Sequence, residues 1–166
     1  MEKKPIFYAK QPQQCNNIEL KTFYDLVVKG GKVLIDGLED RILNCELLAF
    51  CEDHDTIIGV SAIKKPSKNY REGIIVKAKI SRKWSELIFE IGYSFTEPEC
   101  RRKGISSTLK SLLLNEMTAR QGILFSTTAI ESSQKFLIDN GFKNLGEPYD
   151  GDNDEAIRYF EKVLSK

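Results

Sequence analysis

Three consecutive cations and a glycine, Arg101-Arg102-Lys103-Gly104, stand immediately ahead of a segment with helical periodicity. Ile105, Leu109, Leu112, Leu113 and Met117 fall at i, i+4, i+7, i+8 and i+12, one apolar face of an amphipathic helix. The first turn of a helix leaves N–H groups without intrahelical acceptors, and the macrodipole puts partial positive charge there. Arg101, Arg102 and Lys103 add charge, Gly104 lets a ligand approach the backbone, and Ser106 and Ser107 can donate hydroxyls. Such a place suits a phosphate or pyrophosphate. A helix start with solvated basic residues is the other reading of this spacing, and both stay open on the residues alone.

The turn needs an element on each side to hold it. Upstream, Leu87, Phe89, Ile91, Tyr93 and Phe95 alternate with Ile88, Glu90, Gly92 and Ser94, the period of two that a pleated strand requires. Thr96-Glu97-Pro98 ends that strand, because proline has no N–H for a ladder and restricts the residue before it. The order is therefore strand, basic turn, helix. Further on, Ile123-Leu124-Phe125 reads as a buried strand, and Glu131 to Asn140 as a helix with Phe136 and Leu137 inward, stopped by Asn140-Gly141.

Glu90-Ile91-Gly92-Tyr93, then Pro98, then Arg101-x-x-Gly104-x-Ser106 followed by Leu109, resembles motif A of the GNAT (Gcn5-related) N-acetyltransferases. Their signature, Arg/Gln-x-x-Gly-x-Gly/Ala, opens a helix after a strand. Ser133-x-x-Phe136-Leu137 before Asn140-Gly141-Phe142 resembles motif B. With the order of elements, the resemblance spans the chain from about Asn17 onward. It implies an α/β (α+β) fold, a mixed and mostly antiparallel sheet of six to seven strands flanked by about four helices.

The resemblance also implies an acyltransferase that moves an acetyl group from acetyl-CoA to a primary amine of a small molecule or peptide. Attack would be direct, in a ternary complex. Phe95, Thr96, Arg101, Arg102, Lys103, Gly104, Ile105, Ser106 and Ser107 would bind the cofactor, with its pyrophosphate at the basic turn. The main chain of Phe95 and Thr96 would pair with the pantetheine amides, and Gly92 would mark a bulge where neighbouring strands part. Glu90 stands where several family members place a general base; a strand carboxylate paired with a nearby cation is its structural alternative, and Glu86 is a weaker candidate. The chain also departs from the pattern. Leu137 stands where many members carry the Tyr that protonates the CoA thiolate, Ile130 where an Asn is seen, and Ser106 for Gly or Ala. The general acid is thus unassigned among Tyr149, Tyr93 and solvent, and a fold that keeps acyl-CoA without turnover stays open.

A chain of 166 residues fits one domain, residues 1–166, with a core that needs neither disulfides nor metal. A net charge of +1 gives no global argument for nucleic acid or an anionic membrane as partner. No stretch has the length of a membrane span, and the segment from Met1 to Tyr8 has no apolar run of signal-peptide length, so a cytoplasmic protein is expected. A homodimer is compatible with all of this. Cys15, Cys45, Cys51 and Cys100 lack metal-ligand spacing and read as reduced space-fillers, with His54 as the single histidine. Cys100 precedes three cations, which would favour a thiolate.

Elsewhere, Ile6-Phe7-Tyr8 reads as a short strand, and Asn16-x-x-Glu19 as a capping box opening a helix to about Lys29. Leu20, Phe23, Tyr24 and Val27 form its stripe, and Gly30-Gly31 the stop. Lys32 to Gly37 is a loop or the start of a short helix. Arg41 to Phe50 and Thr56 to Lys64 read as a hairpin joined by the polar turn Cys51 to Asp55, which puts His54 in a loop. Pro66 to Lys83 is ambiguous: Gly73 to Val76 suits a strand, whereas Tyr70 to Ile80 suits a helix. Lys64, Lys65, Lys68, Arg71, Lys77, Lys79, Arg82 and Lys83, in or beside it against Glu72 alone, make either a solvated face or a contact for an acidic acceptor or the cofactor's 3′-phosphate. Glu147 to Glu155 reads as an acidic loop that would suit a cationic acceptor, and Ala156 to Leu164 as a final strand or short helix.

Overall fold

A computed structural model describes residues 3–165. Its strands are β1 (Ile6–Lys10), β2 (Leu47–Asp53), β3 (Thr56–Lys64), β4 (Leu87–Thr96), β5 (Gly122–Thr128), β6 (Lys143–Tyr149) and β7 (Ile157–Leu164). Its helices are α1 (Asn17–Gly30), α2 (Leu38–Leu43), α3 (Lys68–Ala78), α4 (Ile105–Glu116) and α5 (Glu131–Asp139). The strands form one seven-stranded sheet in the order β1-β2-β3-β4-β5-β7-β6. β1–β2, β2–β3, β5–β7 and β6–β7 are antiparallel, whereas β4–β5 is parallel. This is the mixed, mostly antiparallel sheet that the resemblance implied. Among the described residues there are five α-helices, and none is long and apolar enough to cross a membrane.

Contacts group the chain into two compact units. The first holds the described residues up to Lys64 together with Ile91–Met117. Its α1 starts as the sequence indicated: Asn16 Oδ1 accepts from the Glu19 N–H at 2.8 Å, and Glu19 Oε1 accepts from the Asn16 N–H at 2.9 Å. Phe23, Leu26 and Val27 then bury one face of α1 against Leu48, Phe50, Val60 and Ala62 of β2 and β3. The expected strand from Arg41 is corrected. Arg41 lies in α2, whose Leu38 and Ile42, four apart, enter the same core, and β2 begins only at Leu47. The hairpin turn is also tighter than expected. β2 runs to Asp53, and only His54 and Asp55 turn the chain, both at positive φ (49° and 63°), as a type I′ turn requires.

The second unit holds Lys65–Glu90 and the described residues from Thr118 onward. Here the ambiguous basic segment is helical. Ser67 caps α3 by accepting from the Tyr70 N–H, and Ile74 and Ala78, four apart, pack with Ile80 on Leu87, Ile123, Phe125 and Tyr159. The strand alternative fails because Val76 is 75% exposed, on the solvent face of a helical period. The acidic loop is shorter than expected, since Glu147 and Tyr149 belong to β6. Asp150 Oδ1 accepts from the Ala156 N–H across the remaining loop, and the last segment is a strand.

Candidate active site

In the first unit, β4 ends at Thr96, Pro98–Cys100 make one tight turn, and α4 starts after Gly104. The backbone twists twice on the way: Arg102 has φ 65° and Gly104 φ 76°. A Cβ added at Gly104 would meet nothing within 4 Å, so the space in front of the α4 N-terminus is open. The Gly104 carbonyl accepts from both the N–H and the hydroxyl of Thr108, at 3.0 and 2.8 Å, which fixes the first turn of the helix. Ile105 and Leu109 anchor that turn from beneath: a Cβ at Gly59 of β3 would stand 2.9 Å from Ile105 Cγ2. Ser106 is half-buried and Ser107 exposed.

Arg101 makes contacts of its own beside the turn. Its Nε donates to the Thr96 carbonyl at 2.9 Å and its guanidinium lies over the Phe95 ring, 5.4 Å from the centroid. Arg101 thereby ties the end of β4 to the turn, and it is exposed like Arg102 and Lys103. A second tie is the 2.6 Å ion pair between Lys29 of α1 and Glu97. The left-handed residue in β4 is Tyr93 (φ 53°), one place beyond the glycine expected to mark a bulge. Its ring packs edge-on to Phe23, with the Lys64 ammonium 4.3 Å from the centroid. These contacts hold a conformation that costs of order 1–3 kcal/mol.

Glu90 belongs to the second unit and is 3% exposed. The Tyr70 hydroxyl of α3 donates to Glu90 Oε2 at 2.7 Å. Thr127 of β5 hydrogen-bonds with the hydroxyls of both Tyr70 and Tyr149. Burial, then the charge and hydrogen bond of Glu90, push the Tyr70 phenol well above its ordinary value. Burial raises Tyr149 as well, against the bond to Thr127. Glu86, the weaker base candidate, and Leu137, which stands in place of the usual Tyr, have structural tasks. Glu86 accepts from the Lys83 N–H within its own turn and lies 3.6 Å from Arg82. Leu137 is a core residue, 3% exposed. Cys100 is half-buried, and the neighbouring thiol of Cys51 is pushed up to about 11 by burial. Sequence reading did not reach Tyr70 or Thr127. The one local signal was Ser67 as a helix cap, which would have set Tyr70, Ile74 and Ala78 on one face.

No protein-family model matches the chain, and no curated protein sequence matches it. Solved structures do. Escherichia coli ElaA superposes with a TM-score of 0.71 at 13% identity, over 96% of this chain and 99% of that one. An acyl-CoA N-acyltransferase from Pseudomonas aeruginosa gives 0.68 at 12% identity, over 96% and 100%. A GNAT-superfamily phosphinothricin acetyltransferase from Sinorhizobium meliloti, solved in complex with acetyl-CoA, gives 0.67 at 15% identity, over 95% and 88%. The fold is that of the GNAT acetyltransferases.

Proposed function

We propose that the protein is an acetyl-CoA-dependent N-acetyltransferase acting on a primary amine. The observation that carries this reading is the turn into α4: left-handed Gly104 opens onto free space at a helix N-terminus flanked by Arg102 and Lys103. That arrangement fits a pyrophosphate. Phe95, Thr96, Arg101, Arg102, Lys103, Gly104, Ile105, Ser106 and Ser107 are assigned to the cofactor, as the sequence resemblance implies. An acetyl-CoA complex of the same fold supports the choice of ligand.

The chemistry asks two things of the chain. The acceptor nitrogen must lose a proton before it can form the new C–N bond, and the sulfur must accept charge or a proton as the C–S bond breaks. Glu90, the carboxylate on the strand that leads into the turn, is assigned to take the ammonium proton. The proton for the departing sulfur is left to Tyr149, Tyr93 or solvent, because Leu137 lies in the core and carries no proton. The same leucine favours a second reading, a GNAT fold that binds acyl-CoA without turnover. Thiol release from acetyl-CoA with a panel of primary amines separates the two. Amine-dependent release supports the transferase, whereas saturable binding without release supports the binding module.

A further inference from the structure

Helices α1 and α2 of the first unit leave a groove of about 560 Å³ between them, floored by Leu20, Tyr24, Ile42 and Leu43 and edged by Asp25 and Glu39. A second hollow of about 430 Å³ shares Tyr24 and Glu39 with it and adds Ile35, Asp36 and Asp40. The floor is apolar because six-residue α2 can bury little: Leu38 and Ile42 enter the core, while Leu43 stays 41% and Ile35 55% exposed. The rim is one-sided in charge. Across both hollows four carboxylates, Asp25, Asp36, Glu39 and Asp40, stand against one cation, Lys21, which pairs with Asp25 at 2.8 Å. The other three form no ion pair among the described residues. Arg41 gives its guanidinium to the Leu34 and Asp36 carbonyls and the Tyr93 hydroxyl instead. The first-turn places of Glu39 and Asp40 suit the α2 dipole, but that accounts for neither Asp36 nor the exposed apolar side chains.

Tyr24 sits where the two hollows meet. Its ring is half-buried, and its hydroxyl has no hydrogen-bond partner among the described residues. A tyrosine with an apolar body and an open hydroxyl is a common anchor of interfaces. An exposed apolar surface with a polar rim marks an interaction site, and charge of one sign selects a partner of the other. We propose that this groove docks a basic amphipathic helix of a partner protein. Its apolar residues would lie on Leu20, Tyr24, Ile42 and Leu43, and its lysines or arginines would face Asp36, Glu39 and Asp40. The α1 side of the groove runs from Asn17 to Asp25, about 12 Å, which matches two turns of such a helix. No lining residue is among those assigned to the cofactor or to proton transfer, so the docking surface stands independently of the transferase reading.

Fluorescence anisotropy of a labelled helical peptide, with leucine at i, i+4 and i+7 and lysine elsewhere, tests this on the full chain. Two further peptides serve as controls: one of the same composition in scrambled order, and one with glutamate in place of lysine. The expected result is saturable binding of the patterned lysine peptide, with the scrambled peptide much weaker and the glutamate peptide unbound. Combining Asp36→Asn, Glu39→Gln and Asp40→Asn should weaken that binding about tenfold, and added salt should weaken it in the wild type. Leu43→Asn changes no charge and should weaken it about fivefold through the lost apolar contact. All four side chains are exposed, and each single variant gives a separate reading should the triple variant fold poorly. Equal binding of patterned and scrambled peptides, or no effect of Leu43→Asn, would reduce the groove to a patch of charge and overturn the proposal. No saturable binding would overturn it outright. Sedimentation of the protein alone supplies the remaining outcome: self-association lost in Leu43→Asn would make the occupant a second copy of this chain and overturn the assignment to a basic partner.

Discussion

Substituting Gly59 by alanine adds one methyl group at the point where β3 supports the first turn of α4. Gly59 has no left-handed backbone to lose, so space alone decides the outcome. The new Cβ would stand 2.9 Å from Ile105 Cγ2, 3.3 Å from Leu109 Cδ1 and 3.5 Å from Thr96 Oγ1. Carbon atoms rest at about 3.5–4.0 Å, so the first contact is short by about 0.6–1 Å. Leu109 can turn its terminal methyl away, but Ile105 Cγ2 is attached at the β-carbon and can move only with the helix. Overpacking of this kind costs about 1–3 kcal/mol, a fall in melting temperature of about 3–9 °C for a chain of this size. Because the strain falls on the residue after Gly104, acetyl-CoA affinity should fall as well. Ile105→Leu moves the branch off the β-carbon and should restore part of both losses in the double variant. Thermal melts and calorimetric titrations of the three variants check this. A Gly59→Ala protein with unchanged melting temperature, or a double variant with no recovery, would refute the packing account.

Glu19 gives a pH prediction. Burial alone would raise its carboxyl, but the Asn16 N–H, the Lys10 ammonium and the Tyr8 hydroxyl outweigh burial and hold it below the ordinary 4.5. Its stabilisation is therefore complete above that value and is lost as pH falls through the lower folded one. Glu19→Gln should flatten the acid limb of a stability–pH curve, measured by urea denaturation. Arg82→Leu leaves Glu161 buried with Tyr159 alone and should cost about 3 kcal/mol in the same assay. Glu90→Gln should lower turnover more than acetyl-CoA affinity and flatten the pH–rate profile. A profile like that of the wild type would remove Glu90 as base.

The parts legible in the sequence are those whose physics is local. Asn16 and Glu19 are three residues apart, and their reciprocal bonds follow from one helical turn. The path from Leu87 to Glu116 announces a period of two, a proline, a basic turn and a period near 3.6. The misread parts depend on neighbours distant in sequence. Six-residue α2 exists because Leu38 and Ile42 find the core of the first unit, and no propensity in so short a segment could outvote the apolar run that follows. Ile74-Ile75-Val76 is β-branched and favours a strand locally; burial of Ile74 and Ala78 decided for the helix. The Tyr70–Glu90 bond joins residues 20 apart from different elements, so it becomes visible only once both are in place.

Titration calorimetry with acetyl-CoA, on the wild type, Gly104→Ala and Gly104→Glu, tests the cofactor assignment most directly. A Cβ at Gly104 meets no atom, so alanine pays only for its left-handed backbone, roughly 1–2 kcal/mol, whereas glutamate adds charge and bulk where the pyrophosphate would sit. Saturable wild-type binding, weakened modestly by alanine and abolished by glutamate with the fold retained, is the predicted result. Equal affinity in all three proteins, or none in the wild type, would contradict the assignment of acetyl-CoA to this turn.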